Sequence, residues 1–272
     1  MHTVKLKKAL ARAERAARAA GDLICRNHRR SKRINQQSQH DIKLELDVRC
    51  QKLIEKILLS AFPDSAVLGE EGEAGRAGAA WRWVVDPIDG TVNFTYGVPH
   101  ACVSIALQER DNESGEFASV VGVVYDPFCD ELWTAVRGGP AKLNGRSIHA
   151  SRRKKLAEAL VAIGFAKEAA SLRENLPVFN ALVQRVRKMR IMGSAALSLV
   201  YVASGRFDGY IESGINLWDI AAAGLILECA GGEFWRRQIP GTSLYKMVAN
   251  NGFLRRKLEA VARAARKGII TD

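Results

Sequence analysis

No run in this chain approaches the roughly 18 uninterrupted apolar residues that a membrane-spanning helix needs, so no membrane segment is expected. The first residues, Met1-His2-Thr3-Val4-Lys5, also lack the apolar segment of a secretory signal, and a cytoplasmic protein is expected. Cysteine is sparse. Cys25, Cys50, Cys102, Cys129 and Cys229 are odd in number and widely spaced, which reads as reduced thiols and not as a disulfide framework. The histidines, His2, His28, His40, His100 and His149, are scattered, so no Cys/His cluster at zinc spacing exists. Acidic residues number 29 against 41 Lys and Arg, for a net charge of +12. There is no internal repeat and no low-complexity linker.

Against that background, Trp83-Val84-Val85-Asp86-Pro87-Ile88-Asp89-Gly90-Thr91-Val92-Asn93-Phe94 stands out. Asp86 and Asp89 lie three residues apart at the end of an apolar run suited to a β-strand. Pro87 fixes its own φ and has no N–H for a strand ladder, so the chain is expected to turn there and bring both carboxylates to one point. Gly90 and Thr91 follow at once and can open a helix whose free N–H groups favour an anion. Paired acids beside such a helix start suggest hard cations clamped against a phosphate. An ordinary Asp-Pro turn would explain two of these residues. Asp-Pro-Ile-Asp-Gly-Thr in fixed order arises by chance with odds on the order of one in 100,000.

Asp86–Thr91 resembles the signature of the inositol monophosphatase family of Mg²⁺-dependent, lithium-sensitive sugar-phosphate phosphatases. The resemblance extends along residues 40–235. Gly69-Glu70-Glu71 is similar to a family element whose first glutamate binds metal, which implies that role for Glu70 and a ligand- or water-orienting role for Glu71. Taken alone, a Glu-Glu pair is a solvated surface turn. The family usually continues with Ser where this chain has Gly72. Downstream, Trp218-Asp219-Ile220-Ala221-Ala222 resembles the second signature, whose Asp is a ligand, although Asp219 read alone is a helix cap. The implied site holds two or three Mg²⁺ ions on Glu70, Asp86, Asp89, Asp219 and the Ile88 carbonyl. It also pairs Asp47 with Thr91 to orient the attacking water. Asp47 precedes an amphipathic helix and reads equally as its cap. The family has Val-Thr where this chain has Lys43-Leu44, a departure that bears on the loop 27–40.

On the substrate side, Gly193-Ser194-Ala195-Ala196 joins a β-like stretch to an apolar helix, with Ser194 as a candidate cap. The resemblance implies that this segment, Gly90 and Thr91 border the substrate, and that Glu212 hydrogen-bonds sugar hydroxyls. The partner implied is a small phosphorylated polyol, with a homodimer as the assembly. Rivals within the superfamily are fructose-1,6-bisphosphatase, 3′-phosphoadenosine 5′-phosphate phosphatase and histidinol-phosphate phosphatase. Asn93-Phe94 favours the inositol branch.

A rival of another class is a protein that uses this fold to contact RNA or the transcription machinery. Its footprint would be the basic N-terminus, where residues 1–34 hold eleven Lys and Arg against Glu14 and Asp22. The bland alternative is a solvated face of an amphipathic helix. No aromatic residue interleaves that segment, which argues against single-strand stacking. Arg152–Lys155 forms a second basic cluster.

Periodicity and turn residues predict helices over 4–28, 48–61, 91–94, 176–188, 195–204, 219–230 and 254–267. Strands are predicted over 66–68, 82–85, 103–108, 120–125, 131–136, 160–163, 209–211 and 247–249, with hairpin turns at Tyr125-Asp126-Pro127 and Asn144-Gly145. The expected class is α/β (α+β layered), a single domain over 1–272 with two packed halves, roughly 1–150 and 151–272. The resemblance makes it an α-β-α-β-α sandwich. The stretch after Gly232 is shorter than the family's, which leaves room for a trimmed edge.

Overall fold

The computed structural model describes residues 2–30, 34–37, 42–165 and 169–266. Lys32 and Arg33 of the basic segment, parts of the loop 27–40 and Lys267 of the last predicted helix lie outside the described residues.

The chain opens with α1 (His2–Asn27), the antiparallel pair β1 (Ile34–Gln37) and β2 (Ile42–Leu44), and α2 (Glu45–Leu59). Eight strands follow: β3 (Ala66–Gly69), β4 (Gly72–Gly75), β5 (Trp81–Asp89), β6 (Cys102–Arg110), β7 (Phe117–Asp126), β8 (Glu131–Val136), β9 (Lys142–Leu143) and β10 (Arg146–Ser147). The short helix α3 (Thr91–Thr95) lies between β5 and β6. The rest alternates: β11 (Leu160–Ile163), α4 (Ala169–Val183), β12 (Lys188–Arg190), α5 (Ala195–Ala203), β13 (Gly209–Ile215), α6 (Leu217–Cys229), β14 (Glu233–Gln238), β15 (Tyr245–Asn250) and α7 (Arg255–Arg266).

These elements stack in five layers. The eight strands form one sheet in the order β10-β9-β8-β7-β6-β5-β3-β4, and the last five form another in the order β12-β11-β13-β15-β14. α1 and α2 cover the outer face of the large sheet, α5 and α6 fill the space between the sheets, and α4 with α7 covers the small sheet from outside. The sequence explains the layering. α1 buries Leu6, Ala9, Ala13, Ala16, Ala17, Ala20 and Ile24, a helical stripe of small residues that lets it lie close to the sheet. α6 is apolar all round because it has a sheet on either side. The middle strands β5, β6 and β7 are buried continuously along most of their length because both of their faces are covered.

Three expectations are corrected. Pro87 does not end its strand: β5 runs on to Asp89, and the irregularity between Asp86 and Asp89 is a break in register against β6. A bulge accommodates a residue without an N–H as well as a turn would. The helix placed over 176–188 begins at Ala169 and ends at Val183, with Pro177 inside it. Residues 188–190 instead add a parallel strand to β11, a long-range pairing that local propensity does not encode. α2 starts at Glu45, so Asp47 lies within its first turn and not ahead of it. The Asn144-Gly145 hairpin is as expected, with both residues at positive φ.

Candidate active site

The large sheet and the helices between the sheets meet at the end of β5. Asp86 and Asp89 come from β5, and Asp219 comes from the first turn of α6. One carboxylate oxygen from each of the three lies within 4.8 Å of the other two. The bulge at Pro87 produces the convergence, because the break in register lets two carboxylates three residues apart share one side. The Asp86 carboxylate turns back to accept the Ile88 N–H at 2.9 Å.

Each acid is held by donors from the chain. Asp219 accepts the Asn216 N–H at 2.9 Å, across the N-terminus of α6. Asp89 sits on the N-terminus of α5. It accepts the Ser194 hydroxyl at 2.6 Å, the Ala196 N–H at 2.7 Å and the Ala195 N–H at 3.2 Å, and the buried Cys102 thiol points at it from 3.6 Å. Gly193–Ala196 therefore does more than border the substrate, since its donors fix one of the acids. Asn93 ties the two sides together, donating to the carbonyls of His100 and Met192 at 2.9 Å each. Gly90 has φ +98°, and a Cβ there would stand 2.9 Å from the His100 carbonyl, so only glycine lets β5 turn into α3.

Burial pushes all three carboxyls upward. Asp219 reaches about 7. Asp86 stands well above the usual carboxylate range because Glu70, Asp89 and Asp219 add their negative charge to the burial. Asp89 is raised less, since the donors from α5 favour its charged form. Two ionised carboxylates at that separation repel by about 3 kcal/mol at an effective dielectric of about 20. The cluster is thus tenable protonated or neutralised by a cation. Its donors are all oxygen, which suits a hard divalent cation and not zinc or copper.

Glu70 stands at the rim of this triad, partly exposed, with its backbone N–H on the Val85 carbonyl at 3.2 Å. Its side chain is near enough for its charge to raise Asp86. The Glu70-Glu71 turn is clamped by Gln51, which accepts the Glu71 N–H at 2.9 Å and donates to the Gly72 carbonyl at 3.0 Å. Gln51 follows Asp47 by one helical turn on the buried face of α2, a spacing readable in the sequence, while its hold on the Glu70-Glu71 turn depends on tertiary contact. Asp47 is buried and accepts the Leu44 N–H at 2.8 Å, so the capping role is real. The Thr91 hydroxyl donates to the Ile88 carbonyl at 2.8 Å, and its one proton is therefore not given to Asp47.

A cavity of about 400 Å³ opens beside the triad, lined by Asp89, Asp219, Gly193, Ser194, Ala195 and Glu212 among others. Glu212 stands on β13 and is bonded to the Tyr210 hydroxyl. Burial first, then the charges of Asp219 and Asp89, push its carboxyl up to about 8. Gly164 makes room for it, since a Cβ at that position would overlap the Glu212 carboxylate. Gly164 and Cys102 carried no signal in the sequence because each acts through a contact with another segment, Gly164 with Glu212 and Cys102 with Asp89.

The sequence profile of the inositol monophosphatase family matches residues 5–268. The chain belongs to the inositol monophosphatase family. It is 40% identical over 221 residues to a relative named Nus factor SuhB from Xylella fastidiosa, covering 80% of this chain and 78% of the relative. It is also 40% identical over 225 residues to inositol monophosphatase 2 from Solanum lycopersicum, covering 80% and 83%. Among solved structures, extragenic suppressor protein suhB from Bartonella henselae superposes with a TM-score of 0.85 at 32% identity, covering 93% of this chain and 97% of that one. Membership in the inositol monophosphatase family accounts for the layered fold.

Proposed function

We propose that this chain is a Mg²⁺-dependent phosphomonoesterase that hydrolyses inositol monophosphate or a related small polyol phosphate. The observation that carries this reading is the buried triad Asp86, Asp89 and Asp219 at the head of a cavity that also exposes Glu212. Glu70, the triad and the Ile88 carbonyl would hold two or three ions. Bound there, Mg²⁺ would polarise the phosphate, lower the pKa of a water and stabilise the leaving alkoxide. Gly90 and Thr91 present the start of α3 to the phosphate. Asp47 and Thr91 aim the water, which requires the Thr91 hydroxyl to let go of the Ile88 carbonyl, while Glu71 would orient the ligands or a water. Glu212 accepts hydrogen bonds from sugar hydroxyls, and its charge disfavours a second phosphate nearby.

Phosphate release from purified protein tests this, with and without Mg²⁺, on inositol monophosphate, fructose 1,6-bisphosphate and 3′-phosphoadenosine 5′-phosphate. The monophosphate is expected to have the highest kcat/KM. A clear preference for either bisphosphate would overturn the substrate assignment and leave the metal chemistry standing. Lithium inhibition and a homodimer are further expectations of the same reading.

A second reading is favoured by the 40% identity to a relative named Nus factor SuhB and by the net charge of +12. In it, the chain also takes part in a transcription complex and touches RNA. Salt-dependent binding of RNA by the intact chain is the measurement that tests it.

A further inference from the structure

The basic cluster Arg152–Lys155 has no part in the chemistry above. In sequence it lies about 100 residues from a second basic run, Arg255-Arg256-Lys257 at the start of α7. The structure joins them. Lys257 donates to the Lys154 carbonyl, and Asn251 donates to the Arg153 carbonyl and the Ser151 hydroxyl at 2.9 Å each. Beneath, the buried Asp208 accepts from Arg153 at 2.9 Å, from Ser151 and from the Leu160 N–H at 2.8 Å, which fixes the loop to β11. Phe253 projects from this platform, 47% exposed, with the Lys154 ammonium 5.2 Å from its ring centre.

The charges on this corner are largely uncompensated. Lys155 pairs with Glu158 at 3.3 Å, and Arg255 pairs with Glu259 at 2.9 Å. Arg152, Lys154, Arg256 and Lys257 are exposed and have no acidic partner among the described residues. α1 is different. There Lys5 stands over Trp81, Lys8 over Phe62, and Arg18 over Tyr125 while paired with Asp130 at 3.0 Å. Those three cations are engaged with the protein's own rings and acids, and the rings beside them, Trp81, Phe62 and Tyr125, are partly or fully buried. The corner, by contrast with α1, sets unpaired cations beside an exposed ring.

We propose that this corner binds single-stranded nucleic acid, with Arg152, Lys154, Arg256 and Lys257 on successive phosphates and a base stacked on Phe253. Cations that track a backbone beside an aromatic platform are what a flexible polyanion with π-faces requires. The proposal deepens the second reading above by naming its surface and is independent of phosphatase activity.

The test uses the full chain and a fluorescent oligouridylate of about twelve nucleotides, titrated between about 50 and 200 mM KCl. Replacing Arg152, Lys154, Arg256 and Lys257 together by Ala is expected to weaken binding at least tenfold. It should also flatten the log K against log salt slope by up to about 3, at roughly 0.7 per phosphate contact. Phe253→Ala is expected to weaken binding by about fivefold or more with the slope unchanged. Lys7→Ala with Arg15→Ala on α1 should leave affinity within about twofold, and phosphate release should be unaffected in every variant. If the α1 variant loses binding and the corner variant does not, the proposal falls while the second reading stands. Wild-type protein that binds no RNA at low salt removes both. Loss on charge removal with no effect of Phe253→Ala would make the corner a general polyanion surface and overturn the assignment to nucleic acid.

Discussion

At the scale of single residues, Asp89 is held tightly on every side. It faces two other acids and takes four donors from α5 and β6. Asp89→Asn keeps the shape but removes a ligand charge, and an amide N–H would then oppose one of those donors. Turnover is expected to vanish at saturating Mg²⁺. Melting in metal-free buffer should shift by only a few degrees, since relief of repulsion offsets the mismatched donor. Phosphate release and thermal denaturation check this, and full activity would sink the metal assignment. Ser194→Ala tests the support instead of the ligand. A hydrogen bond to a buried charge is worth about 1.5–3 kcal/mol, so the Mg²⁺ concentration at half-maximal rate should rise roughly tenfold or more. kcat at saturating metal should fall much less. An unchanged metal requirement would show that Asp89 holds its place without α5.

At the scale of elements, the site depends on how closely α6 lies on the large sheet. Gly122 in the middle of β7 is the contact point, where a Cβ would stand 2.6 Å from the Ala222 carbonyl. That backbone cannot retreat without moving Asp219, three residues earlier on the same helix. Gly122→Val should therefore cost about 1–3 kcal/mol of stability by overpacking and also weaken Mg²⁺-dependent activity. Thermal melting and a metal titration on the one variant would show both effects, and a change in stability alone would mean that α6 shifts without carrying Asp219 with it. The register break at Pro87 belongs to this scale too. The sequence leads one to expect a turn between Asp86 and Asp89, and a bulge in a continuing strand brings them together instead.

At the scale of the whole molecule, a cluster of buried acids makes stability depend on pH and on metal together. Asp219 and Glu212 titrate near 7 and 8 in the folded chain, far above their values when unfolded. The metal-free folded state thus binds more protons than the unfolded state between about pH 4 and pH 8. The stability these protons confer is complete at acidic pH and is lost as the pH rises through 7 and 8. The melting temperature without metal should fall from about pH 6 to about pH 8.5, and added Mg²⁺ should raise it more at the higher pH, where it replaces no proton. A flat profile in metal-free buffer would contradict the burial of ionisable acids described here.

The sequence alone determined which atoms could do chemistry. Asp86, Asp89, Asp219 and Glu70 were legible because their short motifs combine residue types that few other structures need together. The layered fold was legible because buried strands and amphipathic helices have distinct periods. Tertiary structure decided how those atoms are held. Ser194 on Asp89, Gln51 under the Glu70 turn and the meeting of Lys154 with Lys257 all join segments far apart in the chain. Hydrogen bonds and charge patches of that kind follow from where packing places each element, and local residue pattern carries no record of the neighbours that packing brings.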